Sequence, residues 1–473
     1  MIQLRPYQQD ARVKLRLALR SSTSVLCVLP TGAGKTVLAA ALIDLLFKAG
    51  KRVIFAVHRV DLLTQTAKTF KKFNIPFSYV ACGHHYNPLH RVYVASISTL
   101  VNRMQRIKAD YVFVDEAHLS AAAGWSKVAK HYKDLGARLI GLTGSPERLD
   151  GRALGDIWDD MVEGPTTRWM IENGHLSTYR AFAPKGIDYS AVHTRNGEFV
   201  RKEIEELEQG KAVIKDAARH WMKRAKGLRT IAFCRSVARA QEYAEEFSSL
   251  GIPSTSLDGE TSQEARRQAF ERFANGDLMV IFNCALFCEG FDLSAQVDRD
   301  VTIECVMQLA PTQSLARHLQ QLGRGLRKKP HPAIILDLVG NLGRLGFPDD
   351  EREWSLEGRK KVKREVAVVD CPVCGGAHHP AMACPYCGHV YEGCGGKVEQ
   401  ARINEVDGDL EEVDVEALRR ERKREQSQAR SLQDLVSLAT ARGYKSPERW
   451  AGHIWTARQA KDQQKKVGAS VGW

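Results

Sequence analysis

Leu29-Pro30-Thr31-Gly32-Ala33-Gly34-Lys35-Thr36 collects the residue types that grip phosphate. Gly32 and Gly34 allow a tight backbone turn in which consecutive N–H groups point at phosphate oxygens. Lys35 adds a point charge for β- and γ-phosphates, and Thr36 offers a hydroxyl to Mg²⁺. Leu29 stands where the strict pattern has a glycine. Downstream, Asp115-Glu116-Ala117-His118 supplies two adjacent carboxylates. The first suits a Mg²⁺ held through its water shell. The second is placed to orient or deprotonate an attacking water. Far along the chain, Gln320-Gln321-Leu322-Gly323-Arg324-Gly325-Leu326-Arg327 adds two guanidiniums three apart, which a helix would put on one face. With Gln320, they could reach across a cleft to a γ-phosphate. Together these groups describe the hydrolysis of a nucleoside triphosphate.

Such groups need rigid supports. The apolar run Val25-Leu26-Cys27-Val28-Leu29 reads as a buried strand, and residues 37–48 form a run of strong helix formers stopped by Gly50. Strand, glycine turn and helix are the setting a phosphate loop requires. Arg5-Pro6-Tyr7-Gln8 opens an amphipathic helix that runs to about Arg20. The Gln8 amide both donates and accepts, so it suits an adenine edge. Strands follow at 53–57, 91–95, 111–114 and 138–142, with a helix over 61–72, and Thr143-Gly144-Ser145 makes a hydroxyl-bearing turn after the last strand. A second series starts near Arg229, with strands at 230–234, 253–257, 278–282, 301–303 and 333–336 and helices at 237–249 and 262–274. It has no phosphate loop of its own. The alternation predicts α/β architecture, with parallel sheets flanked by helices and functional residues at the C-terminal ends of the strands.

At 473 residues the chain has room for two or three domains, and 44% hydrophobic with 26% charged residues is ordinary for a globular protein. A formal charge of +13 favours a polyanionic partner. No apolar signal core opens the chain and no apolar run reaches membrane-spanning length, so a cytoplasmic protein without a membrane partner is expected. Eleven cysteines, an odd number, point to thiols and metal rather than disulfides. Four of them, Cys371, Cys374, Cys384 and Cys387, form two Cys-x-x-Cys knuckles that offer four thiolates to a tetrahedral Zn²⁺. The basic run Lys360-Lys361-Val362-Lys363-Arg364 just before them is either a phosphate contact or a solvated face. Farther on, 416–430 is a charged helix-like segment. The stretch 432–458 could form a small helical unit, whose Trp450 and Trp455 could stack on bases or, more in keeping with the apolar pattern, belong to a helical face that packs on the main body.

The motifs in this order resemble those of superfamily 2 helicases of the DEAH kind over residues 3 to about 340: Arg5 to Gln8, Pro30 to Thr36, Ala56-Val57-His58-Arg59, Ser98-Thr99-Leu100, Asp115 to His118, Thr143-Gly144-Ser145, the acidic-glycine run through Gly290 to Asp292, and Gln320 to Arg327. The RadD-like helicases of bacteria and phages, which also carry C-terminal zinc-binding cysteines, are the nearest type. The resemblance implies two tandem RecA-like domains clamping ATP, with nucleic acid lying across both. It implies Arg5, Gln8, Thr31, Gly32, Ala33, Gly34, Lys35, Thr36, Asp115, His118, Gly290 and Asp292 around the nucleotide. It also implies His58, Arg59, Ser98 and Thr99 on the nucleic acid, and a coupling of nucleotide to domain motion through His118 and Thr143. Two positions depart from the pattern: Gly144 replaces an Ala and Asn283 a Thr.

The resulting expectation is an ATP- and Mg²⁺-dependent DNA helicase or translocase, with a link to DNA repair and protein partners reached through the tail. A duplex translocase that leaves strands paired, an RNA helicase and a non-catalytic zinc-dependent adaptor are the rivals. Expected boundaries are 1–165 for the ATP-binding domain, 166–210 for the connection, 211–340 for the second domain, 341–369 for a linker, 370–392 for a zinc ribbon and 393–473 for a charged and helical tail.

Overall fold

The computed structural model describes residues 3–357 except 121, 149–150, 184–188, 190–191, 196–197, 201–202, 205–210, 285, 288–292 and 298. Beyond 357 it describes 369–370, 377–378, 411–413, 426, 428–429, 431–441 and, between 447 and 455, all but 449 and 453. The first domain runs α1 (Pro6–Ser21), β1 (Ser24–Val28), α2 (Lys35–Lys48), β2 (Val53–Val57), α3 (Val60–Lys72), β3 (Ser78–Val80), β4 (Val92–Ser96), α4 (Ile97–Arg103), β5 (Tyr111–Val114), α5 (Ala123–Asp134), β6 (Arg138–Thr143) and β7 (Asp160–Glu163). Its seven strands lie in the order β3-β4-β2-β5-β6-β1-β7. Every pairing is parallel. All five residues of β1 and of β2 are buried, as befits strands covered on both faces. Helices on each side seal a core against the sheet, one through Phe55, Phe70 and Phe113, the other through Tyr132 and Trp158.

The chain then passes through α6 (Thr167–Glu172), β8 (Tyr179–Ala183), β9 (Thr194–Arg195) and β10 (Glu198–Phe199). The second domain follows with α7 (Lys211–Arg224), β11 (Thr230–Cys234), α8 (Val237–Ser249), β12 (Ser254–Leu257), α9 (Gln263–Asn275), β13 (Val280–Cys284), α10 (Leu293–Val297), β14 (Cys305–Gln308), α11 (Leu315–Gly325), β15 (Ala333–Asp337) and α12 (Asn341–Leu345). Later pieces are β16 (Val369–Asp370), β17 (Ala377–His378), β18 (Glu411–Val413) and α13 (Leu432–Ala441). The second sheet has the order β12-β13-β11-β14-β15-β8-β18. It is parallel except where β18 runs antiparallel to β8. Both domains are therefore parallel-sheet α/β units of the RecA-like kind.

Three expectations change. The stretch 166–210 is more than a connection, because β8 pairs with β15 and belongs to the second sheet. Its short Tyr-Arg-Ala-Phe-Ala pattern becomes a strand through its ladders with β15 and β18. The strand expected at 301–303 lies instead at β14, where the register with β11 begins at Thr230↔Cys305. Val301 and Ile303 are buried in a loop, so they carry the same apolar signal without a ladder. The stretch after α12, expected as a linker, returns to the first domain. Leu154 and Gly155 N–H groups donate to Leu356 O at 2.8 and 3.0 Å, and Trp354 and Leu356 pack on the first core.

Near the end of the chain, α13 packs Leu435 and Ala439 against Trp450 and Ala451, so this tryptophan goes into a small core. Cys371, Cys374, Cys384 and Cys387, the basic run 360–364 and most of 416–430 lie outside the described residues. Among the described residues no group of three or more His, Cys, Asp or Glu is placed to hold a metal ion, and no helix is long and apolar enough to cross a membrane.

Candidate active site

β1 ends against β6, and Leu29 N–H donates to Thr143 O at 2.9 Å, so the loop that follows starts from a fixed point. The backbone then turns at Gly32 (φ +87°) and Gly34 (φ +79°), both in the left-handed region that favours glycine. Gly34 caps α2 without a side-chain hydrogen bond, which leaves the first N–H groups of the helix open to an anion. A Cβ at Gly34 would stand 2.6 Å from Gln8 Nε2. Lys35 Nζ folds back on Leu29 O at 3.3 Å. The missing glycine has an explanation: the Leu29 side chain is fully buried in the core and fills the space beside Gly164, where a Cβ would come within 2.3 Å of it.

Helix α1 is bolted to this loop. Gln8 Nε2 donates to Ala33 O at 3.0 Å and to Gly34 O at 3.3 Å, and Tyr7 OH donates to Ala33 O at 3.0 Å. Gln8 Oε1 accepts from Arg5 N–H at 3.0 Å and keeps one lone pair. The Gln8 amide nitrogen is thus spent on the loop, and only its oxygen can take a further partner.

Asp115 and Glu116 leave the end of β5. Burial, reinforced by the Glu116 charge and opposed by Lys35, raises the Asp115 carboxyl to about 7. Glu116 is a non-glycine residue at φ +48°, in the left-handed region that is strained for a side chain. His118 Nδ1 lies 3.2 Å from Thr143 Oγ1 and 3.6 Å from Glu116 Oε2. Thr143 Oγ1 donates its one proton to Ser145 O at 2.8 Å, so His118 carries its hydrogen on Nδ1 and donates to Thr143.

The second domain meets these groups through α11. Gln320 Nε2 donates to Glu116 Oε2 at 3.1 Å across 204 residues of sequence. Gly323 sits on Thr31 of the loop, where a Cβ would fall 2.5 Å from Thr31 Cβ. Gln320 and Arg324 are both buried in the joint. Arg327 corrects the sequence reading. Helix α11 stops at Gly325, and Arg327 lies beyond it in an antiparallel bridge with Leu176, so the two arginines do not share a helical face. Two glycines in the last turn weaken the helix, and the pairing with the connection takes over the backbone.

The residues expected on nucleic acid are spread along the first domain. Arg59 Nη1 donates to Leu286 O of the second domain at 3.1 Å. His58 precedes it, half-buried at the end of β2. Ser98 and Thr99 start α4, with Ser98 exposed. Ser96 caps that helix, accepting from Thr99 N–H at 3.3 Å and donating to Thr99 Oγ1 at 2.9 Å. Gly290 and Asp292 lie outside the described residues. Asn283 is fully buried: it donates to Ala232 O at 2.8 Å and accepts from Phe287 N–H at 3.3 Å, so both ends of its amide brace β13. Leu176, whose Cδ2 would be 3.0 Å from a Cβ at Gly32, is a loop neighbour that no motif announced.

Residues 1–148 match the family described as type III restriction enzyme, res subunit, and residues 212–329 match the helicase conserved C-terminal domain. A 51.5 kDa protein of a Lactococcus phage is 32% identical over 370 residues, covering 76% of this chain and 77% of that one. The chain belongs to the superfamily 2 helicases. A Saccharomyces cerevisiae protein, IRC3, named as an ATP-dependent helicase, is 30% identical over 77% of this chain and 57% of its own length. XPB2 of Sulfurisphaera tokodaii, named as a DNA 3'-5' translocase, is 24% identical over 72% and 82% of the two chains. Among solved structures, the Pyrococcus furiosus Hef helicase domain aligns at 18% identity and a TM-score of 0.44, covering 71% of this chain and 96% of that one. As a superfamily 2 helicase the protein is a nucleic-acid-dependent ATPase that takes ATP as its substrate.

Proposed function

We propose that this helicase is a DNA motor whose ATPase site is completed only when α11 closes on the first domain. The observation that carries the reading is the pair of cross-domain contacts, Gln320 on Glu116 and Gly323 on Thr31. In this reading the backbone from Thr31 to Lys35, Ala33 included, and the Lys35 ammonium hold the phosphates. Glu116, held by Gln320, orients the attacking water. Arg324 reaches the γ-phosphate, with Arg327 behind it at the connection. Gln8 Oε1, its nitrogen already committed, accepts from the 6-amino group of adenine and meets no donor at the O6 of guanine. Arg5 flanks the base, and Gly290 and Asp292 approach the nucleotide from the second domain. His118 and Thr143 pass the state of the site to the turn at Ser145.

Two buried adjacent carboxylates with one opposing ammonium fit a divalent cation, and Thr36 and Asp115 are the residues that would hold Mg²⁺. When bound, the ion supplies charge neutralisation at the β- and γ-phosphate oxygens. The net charge of +13 suits a polyanionic strand, and the relative named as a DNA translocase supports DNA over RNA. That relative's name also favours the second reading, translocation without strand separation. His58, Arg59, Ser98 and Thr99 are assigned to the strand. Zn²⁺ on Cys371, Cys374, Cys384 and Cys387, the RadD-like type and the expected domain boundaries, with β8 moved to the second domain, belong to the same reading.

The test is the ATPase rate with single-stranded, duplex and forked DNA and with RNA in parallel. Stimulation by DNA well above that by RNA supports the proposal; stimulation by RNA alone overturns it.

A further inference from the structure

Helix α11 carries Gln320 and Arg324, yet both of its ends are held by the segment between the domains. At its start, Glu198 of β10 accepts from Thr312 Oγ1 at 2.7 Å, from Gln313 N–H at 2.8 Å and from Arg317 Nη1 at 3.2 Å. A carboxylate there also faces the positive end of the helix. Ser314 supplies the cap itself, accepting from Arg317 N–H. At the far end Ser177 N–H donates to Leu326 O at 2.9 Å. Ser177 Oγ donates to Arg327 O at 2.9 Å and accepts from Lys329 N–H at 2.9 Å. Lys329 Nζ donates to Gly325 O and, at 3.2 Å, to Arg327 O, closing the last carbonyls. The bridge between Leu176 and Arg327 completes this end.

Leu176 also rests on the nucleotide loop. Leu176 is buried, and its Cδ2 lies 3.0 Å from the place a Cβ on Gly32 would take. A change in the backbone at Gly32 therefore pushes on Leu176, and Leu176 is joined through one backbone bridge to the end of α11. Packed contacts of this sort shift between discrete arrangements rather than yielding smoothly. The helix is about 16 Å long, so a push at one end is felt along its whole length.

We propose that Leu176 and Ser177 are positioning residues that set the height of α11 over the phosphate loop, with Glu198 as the counter-anchor at the other end. The inference rests on the ATPase reading above and adds a route: the loop signals to Gln320 and Arg324 through the connection as well as through the nucleotide.

The full chain tests it with Leu176→Ala, Leu176→Met, Ser177→Ala, Glu198→Ala and the last two combined. Leu176→Ala is expected to lower kcat about tenfold or more while a fluorescent ADP analogue binds within about twofold of the parent, with Leu176→Met recovering most of the loss. Ser177→Ala and Glu198→Ala, acting on one helix, should be non-additive in kcat. Equal losses in kcat and nucleotide affinity, no rescue by Met, or strict additivity would overturn the proposal. Hydrogen exchange without nucleotide reads the clamp independently of activity. Faster exchange across 315–326 in Ser177→Ala, with β13 unchanged, sustains it, and unchanged exchange there overturns it. A parent chain that hydrolyses no ATP would defeat the functional reading, and the exchange result would still decide the clamp.

Discussion

Each sheet sends a parallel strand through a short turn into a helix, and two of those turns, one from each sheet, end differently. In the first, β1 leads through Gly32 and Gly34 into α2, whose start has no side-chain cap. In the second, β11 leads into α8 by way of Ser236, whose hydroxyl accepts from Arg239 N–H at 3.2 Å. One helix terminus is left open for an anion and the other is closed by its own serine. The lesson is that a parallel strand can lead into an open or a closed helix terminus according to a few residues in the turn between them. The second sheet contributes α11 instead of a cradle.

Ways to break this comparison begin with the chemistry. Arg324→Ala should depress kcat by roughly 10³–10⁵ with ATP affinity little changed, and Arg324→Lys should recover little, because an ammonium lacks the planar fork. Steady-state kinetics with a nucleotide-binding titration would show it. Lys35→Ala and Glu116→Gln should likewise lose hydrolysis. The second of these should still bind ATP, so parental turnover by Glu116→Gln would remove that carboxylate from its assigned role.

Exchanging the two turns sharpens the contrast. Gly34→Ser places a side chain at φ +79° and against Gln8, which should cost ~1–2 kcal/mol from the backbone alone and abolish nucleotide binding. Thermal melts with and without ATP measure both. A third contrast is titration. In the second domain, burial lowers the His318 imidazole to about 4, while Nε2–H donates to Gly346 O at 2.9 Å. Its folded value lies below the ordinary histidine range, so the unfolded chain binds more protons between about pH 6.5 and 4, and stability falls as pH drops through that window. His318→Gln should flatten that slope in denaturation curves taken from pH 7 to 4, and an unchanged slope would clear His318. The smallest effect belongs to Ser236→Gly, about a few tenths of a kcal/mol in stability and no gain of nucleotide affinity. Measurable ATP binding at the second sheet in that variant would contradict the role given to the serine cap.

Much of the site was legible because its signals are local. Gly32, Gly34, Lys35 and the Asp115-Glu116 pair sit at strand ends, and a strand, a turn and a helix can each be read within a dozen residues. The helices read at 237–249 and 262–274, and the one stopped by Gly50, end within a residue or two of where the structure ends them. The reading failed where a residue's state depends on a distant partner. Arg327 left the helix because Leu176 pairs with it from 151 positions away. Tyr179–Ala183 became a strand because β15 lies beside it, and Val301 and Ile303 were buried without one.

Sequence alone determined that the chain would build two parallel sheets and that a glycine turn and an acidic pair would stand at strand ends of the first, since period, turn chemistry and charge are properties of neighbours along the chain. Tertiary structure alone decided that Gln320 meets Glu116, that Gly323 must lack a side chain to sit on Thr31, that Leu29 is a core residue, and that the connection grips both ends of α11. Those outcomes are distances between segments up to about three hundred residues apart. They are set by how two cores and the chain between them pack together, and no short window of sequence contains them.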